Sequence, residues 1–159
     1  MSSSSAPFGL RPAFFPTGLE RAQALANGIT SGYGTDILKG QPVKYTTGGV
    51  INPVSSTEAF VGAFAGVEFT DTTGRRRVSN YWPASTTGTS IVAYFYNDPL
   101  IVYEIQADGA VAQTAIGDNA NFSNLTAGST TTGLSQCTMS ATLTGTSTYG
   151  QLQIGRAHV

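Results

Sequence analysis

The stretch FVGAFAGVEFTD, residues 60–71, decides the fold class. Val61, Ala63, Ala65, Val67 and Phe69 alternate with Phe60, Gly62, Phe64, Gly66 and Glu68. A period of two belongs to a β-strand, whose successive side chains point to opposite faces. Both sets are largely apolar, which predicts a central strand buried on both sides. The glycines leave room for an aromatic ring or a second backbone.

Outward from this strand, the punctuation is that of β-structure. Upstream, GQPVKYTTGGVINPV predicts two short strands joined by a turn at Thr47 to Gly49. Pro42 and Pro53 confine these strands to ends or edges. Downstream, Asp71 to Gly74 makes a turn and RRRVSNYWP returns. SIVAYFYNDP is a further strand, stopped by Asn97-Asp98-Pro99. In LIVYEIQADG, Ile101, Tyr103 and Ile105 alternate with Leu100, Val102 and Glu104. Beyond Ala110 the chain is rich in Thr, Ser and Gly, which predicts short strands with polar outer faces or long loops. Many short strands between turns mean an all-β fold, an antiparallel barrel or sandwich. The sole helix candidate is TGLERAQALANG, with Thr17 and Glu20 as a capping box and Gly28 as a left-handed stop; the segment reads equally as a continuation of an extended arm.

The N-terminus reads differently. MSSSSAPFGLRPAFFPTG combines Phe8, Leu10, Phe14 and Phe15 with Pro7, Pro12 and Pro16. Proline removes an amide donor and restricts the residue before it to extended geometry. An extended arm over residues 1–27 is expected, ahead of a β domain over 28–153. Its aromatic side chains must be covered, either by its own domain or by another chain. At the other end, IGRAHV over 154–159 reads as the translation of a common sequencing adapter. These six residues, with His158, are expected not to be native.

Composition excludes several function classes. The chain has 159 residues, 11% charged residues and a net charge of −1. Ordinary globular proteins carry about 25% charged residues. No basic excess attracts nucleic acid, and no apolar run is long enough for a membrane span. Weak charge gives poor colloidal repulsion and suits a subunit of an assembly. Cys137 is the only cysteine, so no internal disulfide forms, and its expected place is a buried apolar site.

No catalytic residues, metal ligands or cofactor motif emerge. Without His158 there is no Ser-His-Asp or Cys-His arrangement, and no Cys/His spacing suits a metal. No glycine-rich turn carries the Lys-Ser or Lys-Thr of a phosphate loop. Asp98 and Asp108 are expected to cap turns, and Glu68 and Glu104 to meet basic partners such as Lys44 or the arginines. The densest polar–aromatic segment is GRRRVSNYWP. Arg75, Arg76, Arg77, Tyr81 and Trp82 are residue types enriched at interface hot spots. The same segment reads equally as a hairpin with a solvated tip and a core tryptophan.

Taken in order, APFGLRP, GQPVKY, FVGAFAGVEFTDTTGRRRVSNYWPA, DPLIVYEIQADG and STTTGLS resemble the capsid cement, or decoration, proteins of tailed bacteriophages. The resemblance runs from Ala6 to about Ile154 and lies in the order of the motifs. It implies a virion protein, made in the bacterial host cytoplasm and seated on the capsid exterior. It also implies a homotrimer whose partner is the major capsid protein. On that implication Pro7, Phe8, Leu10, Arg11, Phe14 and Phe15 lie against the capsid or a neighbouring subunit. The alternatives are a tail or head–tail connector component, and a carbohydrate-binding sandwich with Tyr81, Trp82, Tyr94 and Tyr96 as its platform.

Overall fold

The computed structural model describes residues 5–18, 21–55 and 57–156. Its strands are β1 (Arg11–Phe14), β2 (Gln23–Ala26), β3 (Pro42–Tyr45), β4 (Ile51–Pro53), β5 (Gly62–Asp71), β6 (Arg76–Ser79), β7 (Gly88–Tyr96) and β8 (Val102–Glu104). Short strands follow: β9 (Asn119–Ala120), β10 (Phe122–Ser123), β11 (Gly128–Ser129), β12 (Leu134–Ser135), β13 (Thr138–Met139) and β14 (Leu152–Gln153). One 3₁₀ turn covers Gln113–Ala115. The fold is all-β, and of the two expected architectures it is the sandwich: its sheets are antiparallel and no closed barrel forms among the described residues. No helix among them is long and apolar enough to cross a membrane.

β5 is the centre of the main sheet, whose order is β2-β7-β5-β3-β4. One edge of β5 pairs with β7 along most of its length. The other edge takes β3 at Gly62 and Ala63, and β6 from Val67 to Thr70. The predicted turns close the β3–β4 and β5–β6 hairpins, with Gly49 N–H donating to the Thr46 carbonyl and Gly74 N–H to the Asp71 carbonyl. Pro42 begins β3 and Pro53 ends the edge strand β4.

The alternation of residues 60–71 does not run unbroken. Ala65 is an extra residue opposite the Tyr94–Phe95 step of β7, a β-bulge. An inserted residue shifts the parity of all that follow. Phe64 therefore shares one core with Val67 and Phe69, although strict alternation placed it on the opposite face. A second irregularity lies on β7 between Thr89 and Val92, where Ser90 takes a φ of 50°.

That core holds Ile29, Ile37, Val43, Ile51, Trp82, Ile91, Ala93 and Phe95 beside these three residues. The segment after β2 covers the sheet face. Ile37 and Trp82 exchange backbone hydrogen bonds of 3.0 and 2.9 Å, and the Trp82 ring meets Phe69 edge-on at 5.3 Å. A second apolar region lies around Ala120, Met139 and Ile154, and a third around Leu10, Ala63 and Phe122. Half-buried Ile105 and Leu152 pack against both. Ile154, first residue of the segment read as adapter-derived, is thus part of a core; Ala157, His158 and Val159 lie outside the described residues. Buried Gln41 links the two halves of the chain, its Oε1 accepting from Leu38 N–H at 3.0 Å and its amide donating to the Leu125 carbonyl at 3.0 Å.

The helix expected over TGLERAQALANG is corrected. Gln23–Ala26 is an edge strand, paired in register from Gln23↔Phe95 to Ala26↔Val92. So short a helix is marginal alone, whereas the open edge of β7 supplies ladder partners. Asn27, not Gly28, takes the left-handed conformation, with φ at 53°. Gly28 is needed for space, since a Cβ there would lie 2.8 Å from the Leu25 carbonyl and 2.9 Å from the Ala93 Cβ. Glu20 of the expected capping box lies outside the described residues.

Gly62 is the tightest point of the ladder. A Cβ at this position would fall 1.4 Å from the Tyr96 carbonyl oxygen. Gly62→Ala is expected to cost more than ~3 kcal/mol in urea unfolding, because one backbone must move away from the other. A variant with near wild-type stability would show that β5 and β7 do not approach so closely. An ion pair ties β3 to the loop that follows β4. Glu58 accepts from Lys44 Nζ and from the Ser55 amide and hydroxyl, which lowers its pKa from 4.5 to about 2. A carboxylate depressed in the folded state stabilises above its unfolded pKa, and that stabilisation is lost as pH falls through the folded one. The urea midpoint should therefore drop between about pH 4.5 and pH 2, and Glu58→Gln should shrink that drop.

Candidate interface

The arm is not a free extension. Arg11–Phe14 pairs antiparallel with β8, with Arg11 opposite Glu104, Pro12 opposite Tyr103 and Phe14 opposite Val102. Proline is tolerated because this ribbon has two strands, and an edge strand needs no donor on its outer side. Ala13 is a bulge, so Arg11 and Phe14 share one face with Glu104 and Val102.

Ribbon pairing divides the arm's side chains. Leu10 is 1% exposed and packs with Ala63 and Phe122, while its N–H donates to the Gly40 carbonyl at 2.7 Å. Leu10 is a core residue of its own chain, which corrects its expected place at an interface. Pro7 and Phe15 are half-buried, and the Phe15 ring lies 5.7 Å from that of Tyr96. Phe14 stands 60% exposed, and Phe8 is exposed with its ring 4.6 Å from the Arg11 guanidinium carbon.

The outward ribbon face extends onto β8 and the turn before it. Val102 is 50% and Leu100 62% exposed, whereas Ile101, Tyr103 and Ile105, the alternate set, are half-buried. Phe14 and Val102 thus form an exposed apolar cross-strand pair beside the Arg11–Glu104 ion pair, and exposed Leu100 lies in the turn that leads into β8. Burial pushes the Tyr103 hydroxyl pKa up, and that hydroxyl donates to the Tyr96 carbonyl at 3.2 Å. Leu100 and Val102 were absent from the sequence-based candidates. The available signal was their parity with the charged residue Glu104.

The arginine hairpin lies on the main sheet, apart from the ribbon. Arg76 pairs with Glu68 at 2.7 Å and donates to the Ser90 carbonyl at 2.8 Å. Arg77 pairs with Asp71 at 2.8 Å. The Arg76 guanidinium, then the Tyr94 hydroxyl, lower the Glu68 pKa; the Thr73 hydroxyl, then Arg77, lower that of Asp71. Arg75 alone has no side-chain partner among the described residues. The three arginines are therefore no uniform basic patch, because two are bound to carboxylates of their own sheet. Tyr81 is half-buried and Trp82 is fully buried, so Trp82 is corrected from interface or glycan platform to core. GRRRVSNYWP thus runs from an exposed charged hairpin into a core tryptophan.

The carboxylates Asp98 and Asp108 hold turns in place. Asp98 accepts from the Thr17 hydroxyl at 2.6 Å and Leu100 N–H at 2.9 Å, and Asp108 from the Ser123 hydroxyl at 2.6 Å and Ala141 N–H at 2.8 Å. These bonds lower both carboxyl pKa values. Cys137 is fully buried, and burial pushes its thiol pKa up. No cluster of three or more His, Cys, Asp or Glu suited to a metal occurs among the described residues.

Comparisons of the chain with protein-family models, with curated proteins and with solved structures returned no match.

Leu10 and Phe14 separate the arm's two roles in a stability measurement. Leu10→Ala is expected to cost ~2–5 kcal/mol, the penalty of a cavity in a packed core. Phe14→Ala is expected to cost less than ~1 kcal/mol, because its ring stays in water in the free protein. Equal losses would mean that both side chains are buried.

Proposed function

We propose that this chain is a non-enzymatic structural protein of a tailed-phage virion. It binds the outside of the major capsid lattice, as a trimer, and stabilises the lattice across subunit seams. The observation that carries this reading is the exposure of apolar Phe14 and Val102 on the ribbon and of Leu100 in the turn before β8. The resemblance of the ordered motifs to cement proteins supports it, and so does the low charge of the chain.

A cement function needs distributed contact rather than a reactive centre. Exposed apolar side chains on a hydrogen-bonded ribbon are pre-organised, so little conformational entropy is lost when they dock. Burying a phenylalanine contributes about 2–3 kcal/mol. Repetition across a trimer multiplies that contact through effective concentration. Arg11 and Glu104 at the border fix orientation more than they add affinity.

The test uses purified capsid shells that lack the protein. Deletion of residues 1–16 is a poor probe, since it also removes Leu10 from the core. Combined Phe14→Ser, Leu100→Ser and Val102→Ser should leave the fold intact and lower shell affinity at least roughly tenfold. Occupancy is read by sedimentation with the shells. Unchanged occupancy would overturn the assigned surface, and failure of the wild-type protein to bind any shell would point to a tail or connector component.

A further inference from the structure

We propose that the pocket between the end of the arm and the β7–β8 turn binds one neutral pyranose ring of a glycan. The pocket has a volume of about 280 Å³. This is close to the lower end of the roughly 300–1,000 Å³ of small-molecule sites and suits a single sugar ring.

Its lining combines the two surfaces that a sugar needs. Phe15 and Tyr96 form an aromatic corner, their rings 5.7 Å apart and inclined at 56°. Such a corner takes the apolar C–H face of a pyranose. Around it stand Arg21, Gln23, Asn97 and Asp98. Arg21, Gln23 and Asn97 are exposed, and their side chains have no hydrogen-bond partner among the described residues. Their donors are free for hydroxyl oxygens.

Asp98 is built into the site. Its two oxygens each accept one bond, from Thr17 and Leu100, and those bonds keep it ionised and oriented. A carboxylate has about four acceptor positions, so two remain for sugar hydroxyls. The opposite charges of Arg21 and Asp98 disfavour a ligand of a single charge sign. An anion gains from Arg21 and loses to Asp98, and a cation does the reverse. A neutral polyhydroxylic ring donates to Asp98 and accepts from Arg21 and the amides. The glycan platform expected from sequence included Tyr96 together with the now buried Trp82; this pocket keeps Tyr96 and replaces the rest. The inference does not depend on attachment to a capsid.

The test is saturation-transfer NMR on the full chain with methyl glucoside, methyl mannoside and methyl galactoside at millimolar concentration, with methyl glucuronide as the charged control. Transfer to ring protons of at least one neutral glycoside is expected. Arg21→Ala with Asn97→Ala should weaken it roughly tenfold. Both residues are exposed, so the fold should survive, and circular dichroism checks this. Phe15→Ala should abolish the transfer. Absence of transfer to all three neutral glycosides would overturn the proposal. So would binding of the glucuronide alone, or transfer unchanged in the folded double variant.

Discussion

Strand β5 hydrogen-bonds on both edges, and the arrangement of the other elements follows from that constraint. β7 lies on one side, with β3 and β6 in succession on the other. At Gly62 the approach is so close that no side chain fits between the strand and the Tyr96 carbonyl. Once β7 is held there, its far edge is open to β2, and its C-terminal end leads through Asn97-Asp98-Pro99 into β8. The position of β8 in turn decides where the arm can pair. A contact at the sheet centre thus positions a surface ribbon.

β-Bulges convert this scaffold into specific surfaces. At Ala65 the bulge brings Phe64 onto the same core face as Val67 and Phe69, concentrating aromatic volume beside Trp82. At Ala13 the bulge brings Arg11 and Phe14 onto one outward face. In each case one unpaired residue changes side-chain parity without breaking the strand. The arm has both fates within a few residues, as Leu10 enters the core of its own chain and Phe14 stays in water. Each leaves its neighbour with a defined role: Leu10 anchors the ribbon, and Phe14 is available to a partner under the proposed cement function.

Parts of this were legible in the sequence. The turns at Thr47–Gly49, Asp71–Gly74 and Asn97–Pro99 carry residues whose backbone preferences act locally, and they lie where they were read. The proline positions at strand ends follow from a missing donor, again a local property. The pairing of Glu68 and Glu104 with arginines follows from the cost of a mid-strand carboxylate. For the candidate interface, parity separated Leu100 and Val102 from Tyr103, and Tyr81 from Trp82, without telling which member faced water. Trp82 is inside because Ile37, far away in sequence, bridges to it. Gln23–Ala26 is open to helix or extended arm on local propensity, and the deciding partner, β7, lies about seventy residues downstream.

By itself the sequence determined the class of the fold, its turn positions, the weak charge and the presence of surplus aromatic residues near the N-terminus. These depend on composition, on period and on neighbours within a few residues. Only the tertiary structure decided which aromatic residues are covered, which arginines are already paired and which strand receives the arm. Those outcomes depend on pairing register and bulges, and one inserted residue reverses the facing of every side chain beyond it.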